Sequence, residues 1–140
     1  MQSIQEGPNL YRLSRLNMFN CFLVREDDGA TLIDTNIYGS AEPILSVAQR
    51  LDWSIRRILL THAHFDHVTS LDKLSQLLPE AEVLIGEREA RLLAGNLSDP
   101  GLRSKAAVTV LSRSLGTISP GRSSVCRLRS RRCHSGEKKL

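Results

Sequence analysis

Residues 62 to 67 read His62-Ala63-His64-Phe65-Asp66-His67, directly after the apolar run Ile58-Leu59-Leu60. Imidazole and carboxylate are the donors that Zn²⁺ and other borderline transition metals take, so His62, His64, Asp66 and His67 form a candidate metal-ligand set. A strand that continued through the first two histidines would point both to one side, because side chains alternate with a period of two. Asp66 and His67, beyond the strand end, would then turn in to meet a second ion. With 4 His and 7 Asp in 140 residues, a chance His-x-His-x-Asp-His is roughly a 2 in 10,000 event. The competing readings are bland ones. A lone strand histidine is ordinarily just polar. Asp66 could be a helix N-cap. Asp34, after Leu32-Ile33, could be a strand-end turn residue. Thr61 and Phe65 read as structural.

The hexamer after a hydrophobic strand resembles the hallmark of the metallo-β-lactamase-fold hydrolases. Upstream, Asn20-Cys21-Phe22-Leu23-Val24, the turn Asp27-Asp28-Gly29 and Thr31-Leu32-Ile33-Asp34-Thr35 resemble that family's opening hairpin and its closing Asp-Thr. The resemblance covers about residues 8 to 97. It implies the N-terminal half of an αββα sandwich, a fold of roughly 200 residues or more. It also implies that His62 and His64 serve one ion and Asp66 and His67 a second, with Asp66 the catalytic carboxylate. Asp34 would support the site by orienting a ligating imidazole. The family adds a later Gly-His, a bridging Asp and a final His. Here no Asp follows Asp99, and the only downstream histidine, His134, sits in Cys133-His134-Ser135-Gly136.

Charge divides the chain. Residues 1–100 carry 9 Lys+Arg against 14 Asp+Glu, a net of −5, whereas residues 101–140 carry 10 against 1, a net of +9. We therefore read residues 8–100 as a truncated domain of this family and 101–140 as a basic Ser/Arg-rich tail. The tail would be irregular, by disorder or by a shift of reading frame between Leu102 and Leu115. It has no Trp, Tyr or Phe, which removes the stacking surface of many single-strand nucleic-acid binders. Charge alone could still hold phosphates. Cys21, Cys126 and Cys133 make an odd count without disulfide-framework spacing, so reduced thiols are expected, with Cys21 a small buried residue. The N-terminus lacks a basic flank and apolar core, and no apolar stretch reaches membrane-spanning length, so a cytoplasmic location is expected.

The elements that must position the ligands follow from patterning. Leu10–Leu13 and Met18–Val24 read as strands, and Asp28-Gly29 as a hairpin signal leading into a strand over Ala30–Asp34. Ser40 is a plausible N-cap for a helix that carries Pro43 in its first turn and ends near Trp53. Arg56–Thr61 is the strand delivering the ligands. Val68, Leu71, Leu74 and Leu78 recur at helical spacing until Pro79. Glu82–Ile85 gives another strand and Glu87–Leu93 a helix closed by Gly95. Alternating strands and helices with short joints indicate mixed α/β packing.

The function implied by the resemblance is hydrolysis assisted by zinc, as one or two ions, with iron or manganese as alternatives. A small molecule, most plausibly a thioester or lactone, would be the substrate. Two readings compete: an inactive fragment lacking the later ligands, and a nonspecific nucleic-acid binder acting through the tail.

Overall fold

Residues that alternate between a covered and an open face build one mixed sheet. The computed structural model describes residues 1–86, 89, 90, 93 and 125–128. The strands are β1 (Gln2–Gly7), β2 (Leu10–Arg15), β3 (Phe19–Glu26), β4 (Gly29–Ile33), β5 (Ile55–Leu60), β6 (Glu82–Gly86) and β7 (Val125–Leu128); the helices are α1 (Ala41–Arg50), α2 (Phe65–Val68) and α3 (Leu71–Leu77). The strands lie side by side in chain order. Strands β1 to β4 pair antiparallel, β4, β5 and β6 pair parallel, and β7 returns antiparallel to β6. Each parallel link runs through helix, as parallel neighbours require.

Register explains the two faces. Leu23, Leu32, Ile58 and Val83 are successive cross-strand partners and are buried with Ile44 and Ala48 of α1 and Leu71 and Leu74 of α3. One position along, Phe22, Ile33, Leu59 and Leu84 form the matching row on the opposite face, where each is only half-buried. The expected α/β packing is thus observed, with the core between the sheet and its helices.

Several boundaries differ from expectation. Strand β1 was not foreseen: none of its residues is buried, so it joins β2 through backbone pairing and leaves no apolar period to read. The long helix expected from Val68 to Leu78 begins earlier and is broken into α2 and α3, with Thr69 and Ser70 between. It stops before Pro79 as expected, Leu78 (φ −125°, ψ 64°) having left the helical region, which the residue before a proline disfavours. Ser40 stands at the α1 N-cap position without capping. Its hydroxyl instead receives Arg15 Nη1 at 3.1 Å. The Asp-Gly pair is not the centre of its hairpin. Glu26 pairs with Gly29, so Asp27 and Asp28 form the turn. Gly29 (φ 147°) sits where a Cβ would lie 2.7 Å from the Ser54 carbonyl oxygen. Arg57 of β5 clasps this turn through Glu26 and Asp28, and its guanidinium holds the Asp28 carboxyl below the usual carboxylate range.

Within the tail expected to be irregular, Val125–Leu128 is instead a strand: its backbone finds partners on the edge of β6, Leu84 pairing with Arg127. Residues 101–124 and 129–140, with Cys133 and His134, lie outside the described residues. Among the described residues no helix is long and apolar enough to cross a membrane.

Candidate metal centre

Strand β5 carries the chain to the site and stops at Leu60, short of the first histidine. The period-two placement expected for His62 and His64 is therefore not what sets their positions; they stand on an irregular segment between β5 and α2. Their rings nevertheless meet edge to face with centroids 4.6 Å apart, and the His62 and His67 rings are 4.0 Å apart. Asp66 and His67 are on α2, whose N-cap residue is His64. Asp66 thus occupies the first helical turn and is not the N-cap. His62, Asp66 and His67 are half-buried, and His64 is exposed.

Asp34 orders this corner. It directly follows β4, is buried, and takes a left-handed backbone (φ 60°) that Asp tolerates better than most residues. That turn sends its carboxylate across to β5 and α2. Oδ1 accepts the Thr61 backbone N–H at 2.8 Å, and Oδ2 lies 2.8 Å from His67 Nδ1. A carboxylate is the acceptor in such a contact, so His67 donates its Nδ1–H to Asp34. Nε2 lies 3.3 Å from Asp66 Oδ2. Thr35 grips the same residue through its backbone: Thr35 N and Oγ1 donate to the His67 carbonyl oxygen at 2.7 and 2.9 Å.

Sequence reasoning missed three supporting residues. Asn36, buried and left-handed (φ 62°), donates to the Phe19 carbonyl oxygen at 2.9 Å and ties the β2–β3 turn to the site. The spacing of Asp34 and Asn36 after an apolar strand, two residue types that tolerate the left-handed region, was the available signal. The Thr61 side chain, read as structural, lies within 3.0 Å of Asp34 and His62. Glu89 accepts the Ala63 N–H at 3.0 Å and steadies the peptide between His62 and His64; nothing local marks it in sequence. Beside the corner, Phe65 packs edge-on to Phe19. Leu16, Met18 and Tyr38 are exposed, and Arg15 Nη1 donates to the Tyr38 carbonyl oxygen at 3.2 Å.

Among the described residues, no three His, Cys, Asp or Glu side chains converge on one point at ligand spacing. One pair of donors has the spacing of two ligands on a single ion. Ligands at about 2.0–2.1 Å from a tetrahedral zinc lie roughly 3.3 Å from each other. The Asp66 Oδ2 to His67 Nε2 separation is 3.3 Å, and the donor chemistry suits zinc.

A family model for the metallo-beta-lactamase superfamily matches residues 16–122, and the chain belongs to that superfamily. The uncharacterized protein YobT of Bacillus subtilis is 48% identical over 79 residues, which are 56% of this chain and 34% of YobT. The hydroxyacylglutathione hydrolase of Buchnera aphidicola is 40% identical over 53 residues, 38% of this chain and 21% of that enzyme. A subclass B3 metallo-beta-lactamase of Bradyrhizobium japonicum superposes with a TM-score of 0.62 at 26% identity, covering 76% of this chain and 40% of that one. The chain therefore spans well under half the length of these relatives. Its sheet and helices correspond to the N-terminal half of the αββα sandwich.

Proposed function

We propose that this corner is part of a zinc-dependent hydrolase centre, His62 and His64 holding one ion and Asp66 and His67 a second. The observation that carries this reading is the line through His67: Nδ1 held at 2.8 Å by buried Asp34, and Nε2 3.3 Å from Asp66. A bound zinc would supply hydroxide near neutral pH, by lowering the pKa of its water to about 7, and would polarise a substrate oxygen. The chain's own residues orient and exclude. Asp34 and Thr35 fix His67, Glu89 fixes the peptide at Ala63, and Asp66 is the half-buried carboxylate that would help hold the ion. Phe65, exposed and edge-on to Phe19, offers an apolar approach for an acyl group. A thioester or lactone suits this approach, and the name of the Buchnera relative favours an S-acyl glutathione.

A catalytic zinc ordinarily takes three protein ligands and a water. The described residues provide two donors per ion, so tight binding depends on donors contributed from outside them, and weak binding is expected from these four alone.

The test uses the purified full chain with zinc. Retained metal is quantified by mass spectrometry, and turnover is followed on a hydroxyacylglutathione, a lactone and nitrocefin. Zinc bound by the chain and lost from the His62→Ala/His64→Ala variant supports the reading, and thioester or lactone turnover completes it. The His134→Ala variant is expected to keep its metal. Zinc retained equally by the chain and the double variant refutes the ligand assignment. Zinc binding without turnover of any substrate favours an inactive fragment. Salt-dependent oligonucleotide binding, lost on deleting residues 103–140, favours the nucleic-acid reading.

A further inference from the structure

One side chain links both ends of the ligand set. Thr61 Oγ1 lies 2.8 Å from Asp34 Oδ2, 3.0 Å from Asp34 Oδ1 and 2.9 Å from His62 Nδ1. A hydroxyl has a single proton to give. A carboxylate is the stronger acceptor of the two neighbours, and its bonds with donors are the shorter, charge-assisted kind. The Thr61 proton therefore goes to Asp34. With that proton spent, Thr61 Oγ1 presents lone pairs to His62, and the contact is a bond only when His62 Nδ1 carries the hydrogen. The geometry points to a relay, His62 Nδ1–H to Thr61 O–H to Asp34, in which Thr61 is a positioning residue that selects the His62 tautomer and leaves Nε2 free to bind a cation.

Asp34 then sets two imidazoles at once: His67 directly at 2.8 Å, and His62 through one hydroxyl. Both are left with Nε2 as the donor atom. Such outer partners tune metal affinity by orienting the ring and fixing its proton. The Thr61 backbone N–H also donates to Asp34, at 2.8 Å, independently of the side chain. Removing the hydroxyl thus leaves Asp34 held in place by Thr61 N and His67 Nδ1. The relay rests on the metal reading only for its consequence, since the tautomer exists in the metal-free chain.

The test is histidine ¹⁵N NMR on the metal-free full chain, at a pH where the rings are neutral, together with zinc titration against a chromophoric chelator. In the native chain, His62 is expected with Nδ1 protonated and Nε2 bare. In Thr61→Val the proton moves to Nε2 for a large share of the population and zinc affinity falls by about 10-fold or more. Thr61→Ser restores both, which a purely space-filling role for the threonine would not predict. A native His62 that carries its proton on Nε2, or a Thr61→Val variant with unchanged tautomer, overturns the relay. If Thr61→Val fails to fold, the native spectrum alone decides. A correct tautomer in a chain that binds no zinc sinks the metal reading and leaves the relay standing.

Discussion

Replacing Asp34 by Asn isolates what its second oxygen does. The substitution keeps side-chain shape and a residue type that accepts φ 60°. The two N–H donors that reach Asp34 use different oxygens: Thr61 N binds Oδ1 and His67 Nδ1 binds Oδ2, each at 2.8 Å. Asn has one acceptor oxygen and one NH₂, so in either flip one of these donors faces another donor. A bond to a charged group is worth about 1.5–3 kcal/mol, and a loss of that size is expected in urea unfolding of Asp34→Asn. If the amide oxygen serves Thr61, His67 can satisfy itself only by moving its proton to Nε2, which removes its ligand lone pair. Zinc affinity should then drop by roughly 10–100-fold, or about 1.4–2.8 kcal/mol, measured by chelator competition. Asp34→Ala should lose about 1–2 kcal/mol more stability, because alanine also resists the left-handed backbone. Asp34→Asn with native unfolding and native zinc affinity would refute the role given to this carboxylate.

Other perturbations address the frame. Cys21 is fully buried, and burial pushes its thiol from 9.0 to about 12, with the charge of Asp34 adding to the rise and the Asn36 hydrogen bond opposing it. The folded state therefore holds this proton where the unfolded chain releases it, so the stabilisation is intact below pH 9 and is lost as the pH rises toward 12. Alkylation of Cys21 at pH 8 should require denaturant, and rapid native labelling would contradict its burial. Gly29→Ala puts a Cβ 2.7 Å from the Ser54 carbonyl oxygen at φ 147° and should cost about 2–4 kcal/mol in urea unfolding; a neutral result would show that β4 and the Ser54 segment do not approach so closely. Leu32→Ala, at a fully buried position, should cost about 2–5 kcal/mol, and a loss near zero would place Leu32 outside the core.

Much of this was readable from residue order. The alternation of Cys21 and Leu23 along β3 and the helical spacing of Leu71 and Leu74 mark which side chains leave water, because burial follows local periodicity. The turn residues around Asp28 and Pro79 mark where the chain must change direction. The hexamer declares its donor chemistry outright, since ligand type belongs to the side chain alone. Strand β1 was illegible because it joins the sheet without burying any residue, and β7 because its pairing partner is some forty residues away in the chain.

The sequence by itself determined the donor types, the apolar faces and the places where strands and helices alternate, all of which are properties of residues and their near neighbours. Only the tertiary structure decided that His62 and His64 leave the strand before they meet, and that Asp34 reaches Thr61 and His67 from 27 and 33 residues away. It likewise decided that Glu89 returns to hold Ala63. Those contacts depend on how β4, β5 and α2 stack, and no local pattern carries the direction of a carboxylate across a sheet.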